Sequence, residues 1–221
     1  MTEAGIRHGT TTRGLGDMSD PARRRAFFAG LGLSDEPGLC LKQVHGTRVV
    51  RWPEEGESAS GGPHHADGWV AAEPGRPVCV YTSDCVPLTL WDSRRRCGGV
   101  FHAGWRGAAA GMPGAAVASL AKAFGSRPSD IAASVGPHIR PCCFRVGTEV
   151  SAAFRHESVV LRGGEVFVDL GAETAAQLAE AGLDRAAVSV CPECTCCRPD
   201  LFHSYRRDGT RESLLSFLIP T

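Results

Sequence analysis

Three residues in this chain have the types and the setting to do metal chemistry: His45, Cys85 and His102. Each closes a short apolar run inside a turn rich in Gly or Pro: Lys42-Gln43-Val44-His45-Gly46, Ser83-Asp84-Cys85-Val86-Pro87 and His102-Ala103-Gly104-Trp105-Arg106-Gly107. Two imidazoles and one thiolate make three of the four ligands of a tetrahedral zinc. Three protein ligands leave the fourth position to water or substrate, the arrangement of a catalytic rather than a structural ion. The three residues are far apart in sequence, so their spacing also suits ordinary turns. Cys85 has a second reading. Beside a histidine, and next to Asp84, it could be the nucleophile of a hydrolase. The two readings compete, because a zinc-bound thiolate is a poor free nucleophile.

Two basic turns could hold an anion. Arg106 stands where a long helix should open, and a helix start with an arginine favours phosphate. Ser204-Tyr205-Arg206-Arg207-Asp208-Gly209 is the second. Both also read as surface or capping arginines. The segment Cys191-Pro192-Glu193-Cys194-Thr195-Cys196-Cys197 contains Cys-x-x-Cys twice. A structural zinc needs two further ligands, and the sequence shows no second pair, so these read as buried or oxidisable thiols. His64-His65 and the remaining histidines are scattered.

These residues need a scaffold. Ser19-Asp20-Pro21 supplies a cap and a proline for a helix over residues 22–31. Strands are expected at 39–44 and 47–52, flanking His45-Gly46, with an acidic, Gly/Ser-rich mobile loop at 53–63. Further strands fall at 68–71, 77–82, 86–91 and 97–102, the last two joined by a turn at 92–96. Residues 105–124 read as one buried helix, with Gly107, Gly111 and Gly114 allowing close backbone approach. Strands at 131–135, 166–170, 187–191 and 214–219 and helices at 148–154 and 173–181 complete the pattern. Strands and helices interspersed predict an α/β class, a single-domain sandwich with a mixed sheet over residues 1–221.

The bulk properties exclude several functions. The 221 residues carry 24 basic and 24 acidic side chains, so no charge excess draws the chain to nucleic acid or a membrane surface. No apolar run approaches the roughly 20 residues of a membrane span. The first residues lack the charged and apolar parts of a signal peptide, and the ten unevenly spaced cysteines read as cytoplasmic thiols.

Taken in order, the motifs form a pattern. To the three ligand turns are added Ala66-Asp67-Gly68, Gly136-Pro137-His138-Ile139, Cys143-Phe144-Arg145-Val146-Gly147 and Phe202-His203-Ser204-Tyr205-Arg206-Arg207-Asp208-Gly209. From Thr10-Thr11-Thr12-Arg13-Gly14 onward, the chain closely resembles the purine nucleoside phosphorylase family of the laccase-domain, or multicopper polyphenol oxidase-like, type (YfiH-like). The resemblance implies an α/β sandwich holding zinc through His45, Cys85 and His102. It implies phosphorolysis of adenosine, inosine, guanosine and S-methyl-5'-thioadenosine to base and ribose 1-phosphate, with adenosine deamination at the same site. On that reading Cys85, His102 and Arg106 are catalytic, with Arg106 the candidate for the phosphate. By their adjacency to the ligand turns and basic turns, and not by the resemblance, Lys42, Gln43, Arg106 and Arg207 are the candidate substrate contacts. The partners are purine nucleosides and phosphate, for a monomer or small homo-oligomer that binds neither nucleic acid nor membrane. Departures from the family pattern are Ser83 where Ala is usual, His203 where a second aromatic is usual, and Thr210-Arg211 without an intervening Gly. The three ligands themselves are intact, and the changes at the C-terminal turn bear on substrate preference. Three rivals remain: a cysteine hydrolase or amidase using Cys85 and His102, the polyphenol oxidase of the older family name, and a binding module that has kept the site but lost turnover. Multicopper oxidation needs many histidines, and this chain lacks paired His-x-His motifs.

Overall fold

The computed structural model describes residues 6–33, 38–53 and 64–221. Most of the predicted 53–63 loop, residues 54–63, lies outside them. The strands, in chain order, are β1 (Ile6–Thr10), β2 (Val49–Trp52), β3 (Gly68–Ala71), β4 (Val78–Thr82), β5 (Val86–Asp92), β6 (Cys97–Ala103), β7 (Ile131–Val135), β8 (Arg145–Val146), β9 (Val159–Arg162), β10 (Glu165–Val168), β11 (Val188–Val190) and β12 (Leu214–Pro220). The helices are α1 (Pro21–Gly30), α2 (Trp105–Ala109), α3 (Met112–Phe124), α4 (Thr148–Ser151), α5 (Leu170–Glu180) and α6 (Tyr205–Asp208).

β5 and β6 are buried at every residue, as their nearly unbroken apolar sequence requires of strands covered on both faces. They form an antiparallel hairpin from Val86↔Ala103 to Asp92↔Cys97. They sit at the middle of a six-stranded sheet of order β11-β7-β5-β6-β3-β2. Its outer pairs β11–β7 and β2–β3 are parallel and the rest antiparallel, so the expected mixed sheet is present. A three-stranded sheet, β1-β12-β4, covers one face. Trp69, Trp91, Val78, Val80, Val100 and Leu218 fill the space between the two sheets. α3 and α5 cover the other face over Leu88, Phe101, Met112, Leu120 and Leu178. Phe28 of α1 packs on the outer side of the small sheet with Phe217 and Ile219. A second three-stranded sheet, β8-β10-β9, packs Val168, Val146 and Val159 against the same core as α3 and α5.

The β5–β6 turn rests on a buried carboxylate. Asp92 accepts from the Arg94 and Arg95 amides at 3.0 and 3.1 Å and from the Arg95 guanidinium at 3.1 Å. Asp92→Ala removes all three hydrogen bonds and leaves the two turn amides without that acceptor. It is expected to lower stability by about 1–3 kcal/mol, read as a lower urea midpoint with an unchanged slope.

Two expectations need correction, and one further strand carries no sequence signature. The helix over 105–124 is two helices. Gly111 takes φ 88° and Pro113 sits in the first turn of α3, where its missing N–H cannot continue the preceding turn. The strand at 39–44 reduces to isolated bridges, Leu39↔Val78 and Lys42↔His65. There the Gln43 side chain replaces strand pairing: its amide donates to the Tyr81 carbonyl at 2.8 Å and accepts from the Tyr81 N–H at 2.7 Å. The edge strand β1 was not anticipated. Its sequence, Ile6-Arg7-His8-Gly9-Thr10, is too polar to read as a strand, and it forms by pairing with apolar β12.

Candidate metal centre and substrate cleft

The hairpin brings two of the three candidate ligands together. His102 is the penultimate residue of β6, and Cys85 immediately precedes β5, so antiparallel pairing sets them side by side. His45 reaches the same point from the turn before β2. The donor atoms of His45, Cys85 and His102 all lie within 4.8 Å of one another. The two imidazole rings stand edge to face, with centroids 4.8 Å apart. His102 is buried, Cys85 half-buried and His45 exposed, so the trio opens to solvent on one side.

Two features hold this convergence. Gly104 leaves the room: a Cβ there would lie 2.7 Å from the His45 ring and 3.2 Å from the Cys85 sulfur. The residues before and at the ligands carry backbone strain, with φ 60° at His45 and 87° at Asp84. Left-handed non-glycine residues of this kind persist only where surrounding contacts fix them.

The fixing contacts come largely from one side chain whose role the sequence did not reveal. Asp67, fully buried, accepts from the His45 N–H at 2.8 Å and from His102 Nδ1 at 2.9 Å through one oxygen. Its other oxygen accepts from the Gly46 and Val44 amides at 2.8 and 3.2 Å. Burial alone would raise the Asp67 carboxyl. His102 and the Gly46 and His45 amides more than reverse this and hold it below the usual carboxylate range. An ionised carboxylate only accepts, so His102 keeps its proton on Nδ1 and offers Nε2 to an ion. A carboxylate behind a histidine ligand is the usual second support of such sites.

The electrostatics suit a cation. Burial pushes the Cys85 thiol up, but the His102 and His45 imidazoles bring it down to about 6. Burial lowers His102, while Cys85 and Asp67 raise it to about 9. Without a cation the pair rests as thiolate and imidazolium at neutral pH; a cation would replace the His102 proton. Two nitrogens, one thiolate, a carboxylate supporting one of the histidines and an open side fit a zinc-type site.

The trio forms the floor of a cleft of about 770 Å³, within the usual range for small-molecule sites. Its apolar wall includes Leu41, Trp105, Ile139, Phe144, Val146 and Val150. Thr82 and Ser83 line it with buried hydroxyls that have no hydrogen-bond partner among the described residues. Its arginines are Arg145, Arg206 and Arg211.

The other expected substrate contacts are placed differently. Gln43 lines the cleft, with its amide engaged by the Tyr81 backbone. Lys42 is exposed and does not line it. Arg106 lies 4.3 Å above the Trp105 ring, exposed and off the lining, and α2 behind it has only five residues. Arg207 is spent on structure. It donates to the Thr195, Cys196 and Phe202 carbonyls and pairs with Asp208. Arg206, the neighbour weighed with it, faces the cleft instead, donating to the Cys143 and Arg145 carbonyls at 3.0 Å. Asp84 is not placed as a partner of Cys85. Its carboxylate accepts from the Thr195 hydroxyl at 2.6 Å and the Arg206 amide at 2.7 Å, joining the floor to the wall.

Comparison with known proteins gives consistent relationships. The family model described as multi-copper polyphenol oxidoreductase laccase matches residues 16–219. Purine nucleoside phosphorylase YlmD of Geobacillus stearothermophilus is 31% identical over 88% of this chain and 76% of its own length. A purine nucleoside phosphorylase of Deinococcus radiodurans is 34% identical over 88% and 76%. The crystal structure of the Bacillus licheniformis hypothetical protein YfiH superposes with a TM-score of 0.89 at 25% identity, covering 98% of this chain and 93% of that one.

Proposed function

The chain belongs to the multi-copper polyphenol oxidoreductase laccase family, among the YfiH- and YlmD-type proteins, and on that premise we propose that it is a zinc-dependent purine nucleoside phosphorylase. The observation that carries the reading is the convergence of His45, Cys85 and His102 on the floor of a cleft with an apolar wall and an arginine rim. Bound there, zinc supplies Lewis acidity at the open side of the donor set.

The chain's own residues do the rest. Phe144 and Val146 pack against the purine and keep water from the glycosidic carbon. The Thr82 and Ser83 hydroxyls, lacking partners among the described residues, bond the ribose. Arg206 and Arg211 hold phosphate beside the sugar, so that a phosphate oxygen forms the new bond to C1' as the bond to the base breaks. Asp67 keeps His102 oriented and its Nδ1 proton in place throughout. Adenosine, inosine, guanosine and S-methyl-5'-thioadenosine are the substrates in this reading, and adenosine deamination shares the site. The enzyme works in the cytoplasm, where its ten cysteines, all free, stay reduced.

A second reading has one specific observation in its favour. Asp67, His102 and Cys85 follow one another as in a nucleophilic triad, with the thiol ionised. His45, converging on the same thiolate, has no task in a triad and one as a ligand. The oxidase reading has less support: the described residues offer two groups able to hold a metal, with only two histidines between them.

Incubating the purified protein with adenosine separates these readings. Adenine and ribose 1-phosphate are expected only when phosphate is present, and inosine with or without it. Stripping the metal with a chelator should abolish both products and zinc should restore them. Turnover that survives complete chelation would transfer the assignment to the cysteine hydrolase.

A further inference from the structure

A second group of potential ligands lies outside the cleft. The sulfurs of Cys142, Cys143, Cys194 and Cys197 all fall within 4.8 Å of one another. Sequence reading left Cys194 and Cys197 without a second pair; the fold supplies it from Cys142-Cys143, more than forty residues earlier. Two of the separations are 3.3 Å for Cys143–Cys197 and 3.6 Å for Cys142–Cys197. Four thiolates around one zinc, at about 2.3 Å each, lie roughly 3.8 Å apart along the tetrahedron's edges. The group is therefore already near the size of a one-ion site.

Its surroundings resemble a prepared site in two respects. Both pairs sit in turns, and the turns are held together by contacts that do not use the thiols. His138 bridges to Cys194, the Thr195 N–H donates to the His138 carbonyl at 3.1 Å, and Arg140 Nη1 donates to the Cys191 carbonyl at 3.2 Å. A backbone amide also points at a sulfur: the Arg140 N–H lies 3.4 Å from Cys194 Sγ. Amide donors of this kind stabilise a metal-bound thiolate and orient it.

We propose that Cys142, Cys143, Cys194 and Cys197 form a second, structural zinc site, separate from the ion at His45, Cys85 and His102. The two sites share no ligand. Four thiolates leave no open position, so this ion does no chemistry on substrate. Its effect is mechanical. Cys143 immediately precedes Phe144-Arg145-Val146-Gly147, all of which line the cleft. Cys194 precedes Thr195, whose hydroxyl bonds Asp84 next to Cys85. An ion here clamps the cleft wall to the segment that braces the catalytic floor.

The test is metal stoichiometry with ligand identity, on protein made in zinc-replete medium and purified anaerobically with a reductant. The wild-type chain should carry two zinc ions. Cys85→Ala, which leaves the four-cysteine group untouched, should carry one, and its zinc X-ray absorption should show four sulfurs at about 2.3 Å. Cys142→Ser with Cys197→Ser should also carry one, now with a mixed nitrogen and sulfur shell. One zinc in the wild type and none in Cys85→Ala would overturn the proposal. So would iron in place of zinc, or a disulfide joining Cys142 or Cys143 to Cys194 or Cys197 in the anaerobic protein. The wild-type count and the Cys85→Ala spectrum decide the matter even if the double variant fails to fold.

Discussion

Cys85→Ala is expected to reduce phosphorolysis of adenosine by at least about a thousandfold in kcat/KM while leaving the fold intact. The substitution takes the donor set from three to two and removes its only negative charge. Lewis-acid stabilisation of a transition state is worth several kcal/mol, and each 1.4 kcal/mol is a factor of ten in rate. Stability should change little by comparison. Cys85 is a half-buried residue at the open end of the hairpin, so truncating its thiol removes little buried surface. The measurements are steady-state kinetics, zinc content and thermal denaturation on one preparation. Wild-type turnover in a variant that no longer binds zinc at this site would end the metal reading.

Asp67→Asn should be the next most damaging change, through a different route. The two carboxylate oxygens accept from four donors: the amides of Val44, His45 and Gly46, and His102 Nδ1. An asparagine has one oxygen and one NH2, so whichever way it turns it sets donor against donor. The His45 turn, already left-handed, loses its restraint, and His102 loses its fixed tautomer. A 10- to 100-fold loss of metal affinity or activity is expected, with a stability loss of about 1–3 kcal/mol. A zinc titration of the metal-stripped variant against wild type measures the first. The pH dependence separates the cause. Asp67 titrates below its ordinary range in the folded chain, so its contribution is complete above the unfolded carboxylate pKa. It is lost as pH falls through the lower folded value. Wild-type stability should therefore decline on acidification, and the difference from Asp67→Asn should shrink toward zero. A difference that stays constant into acid would mean the carboxylate charge is not what holds the turn.

The central layers of this molecule were legible because burial on both faces leaves a plain signature. β5, β6 and β7 read as apolar runs between turn residues, and the structure places them within a residue of the expected bounds. His45, Cys85 and His102 stood out for the same reason, as polar residues stranded at the ends of such runs. What escaped was everything decided by pairing across long separations. Asp67 reads as one acidic residue in a turn; only the fold shows that four donors meet it. Cys142-Cys143 and the Cys194–Cys197 segment look unrelated until two distant turns are laid side by side. β9 is exposed along most of its length, so no alternation of buried and exposed positions marks it. Arg106 and Arg207 were singled out for charge and adjacency, and neither property tells which way a guanidinium points.

The cleft is assembled from two sources of different character. Its base, with Cys85 and His102, grows out of the most deeply buried hairpin in the sheet. Its rim comes from the connecting stretches around Phe144–Val150 and Tyr205–Ser213. Surface connections tolerate replacement far better than core strands do. Selection can therefore redraw the rim, and with it the choice of ligand, while the metal-ligating floor is inherited unchanged. A lineage with this architecture can diversify its diet without reinventing its chemistry.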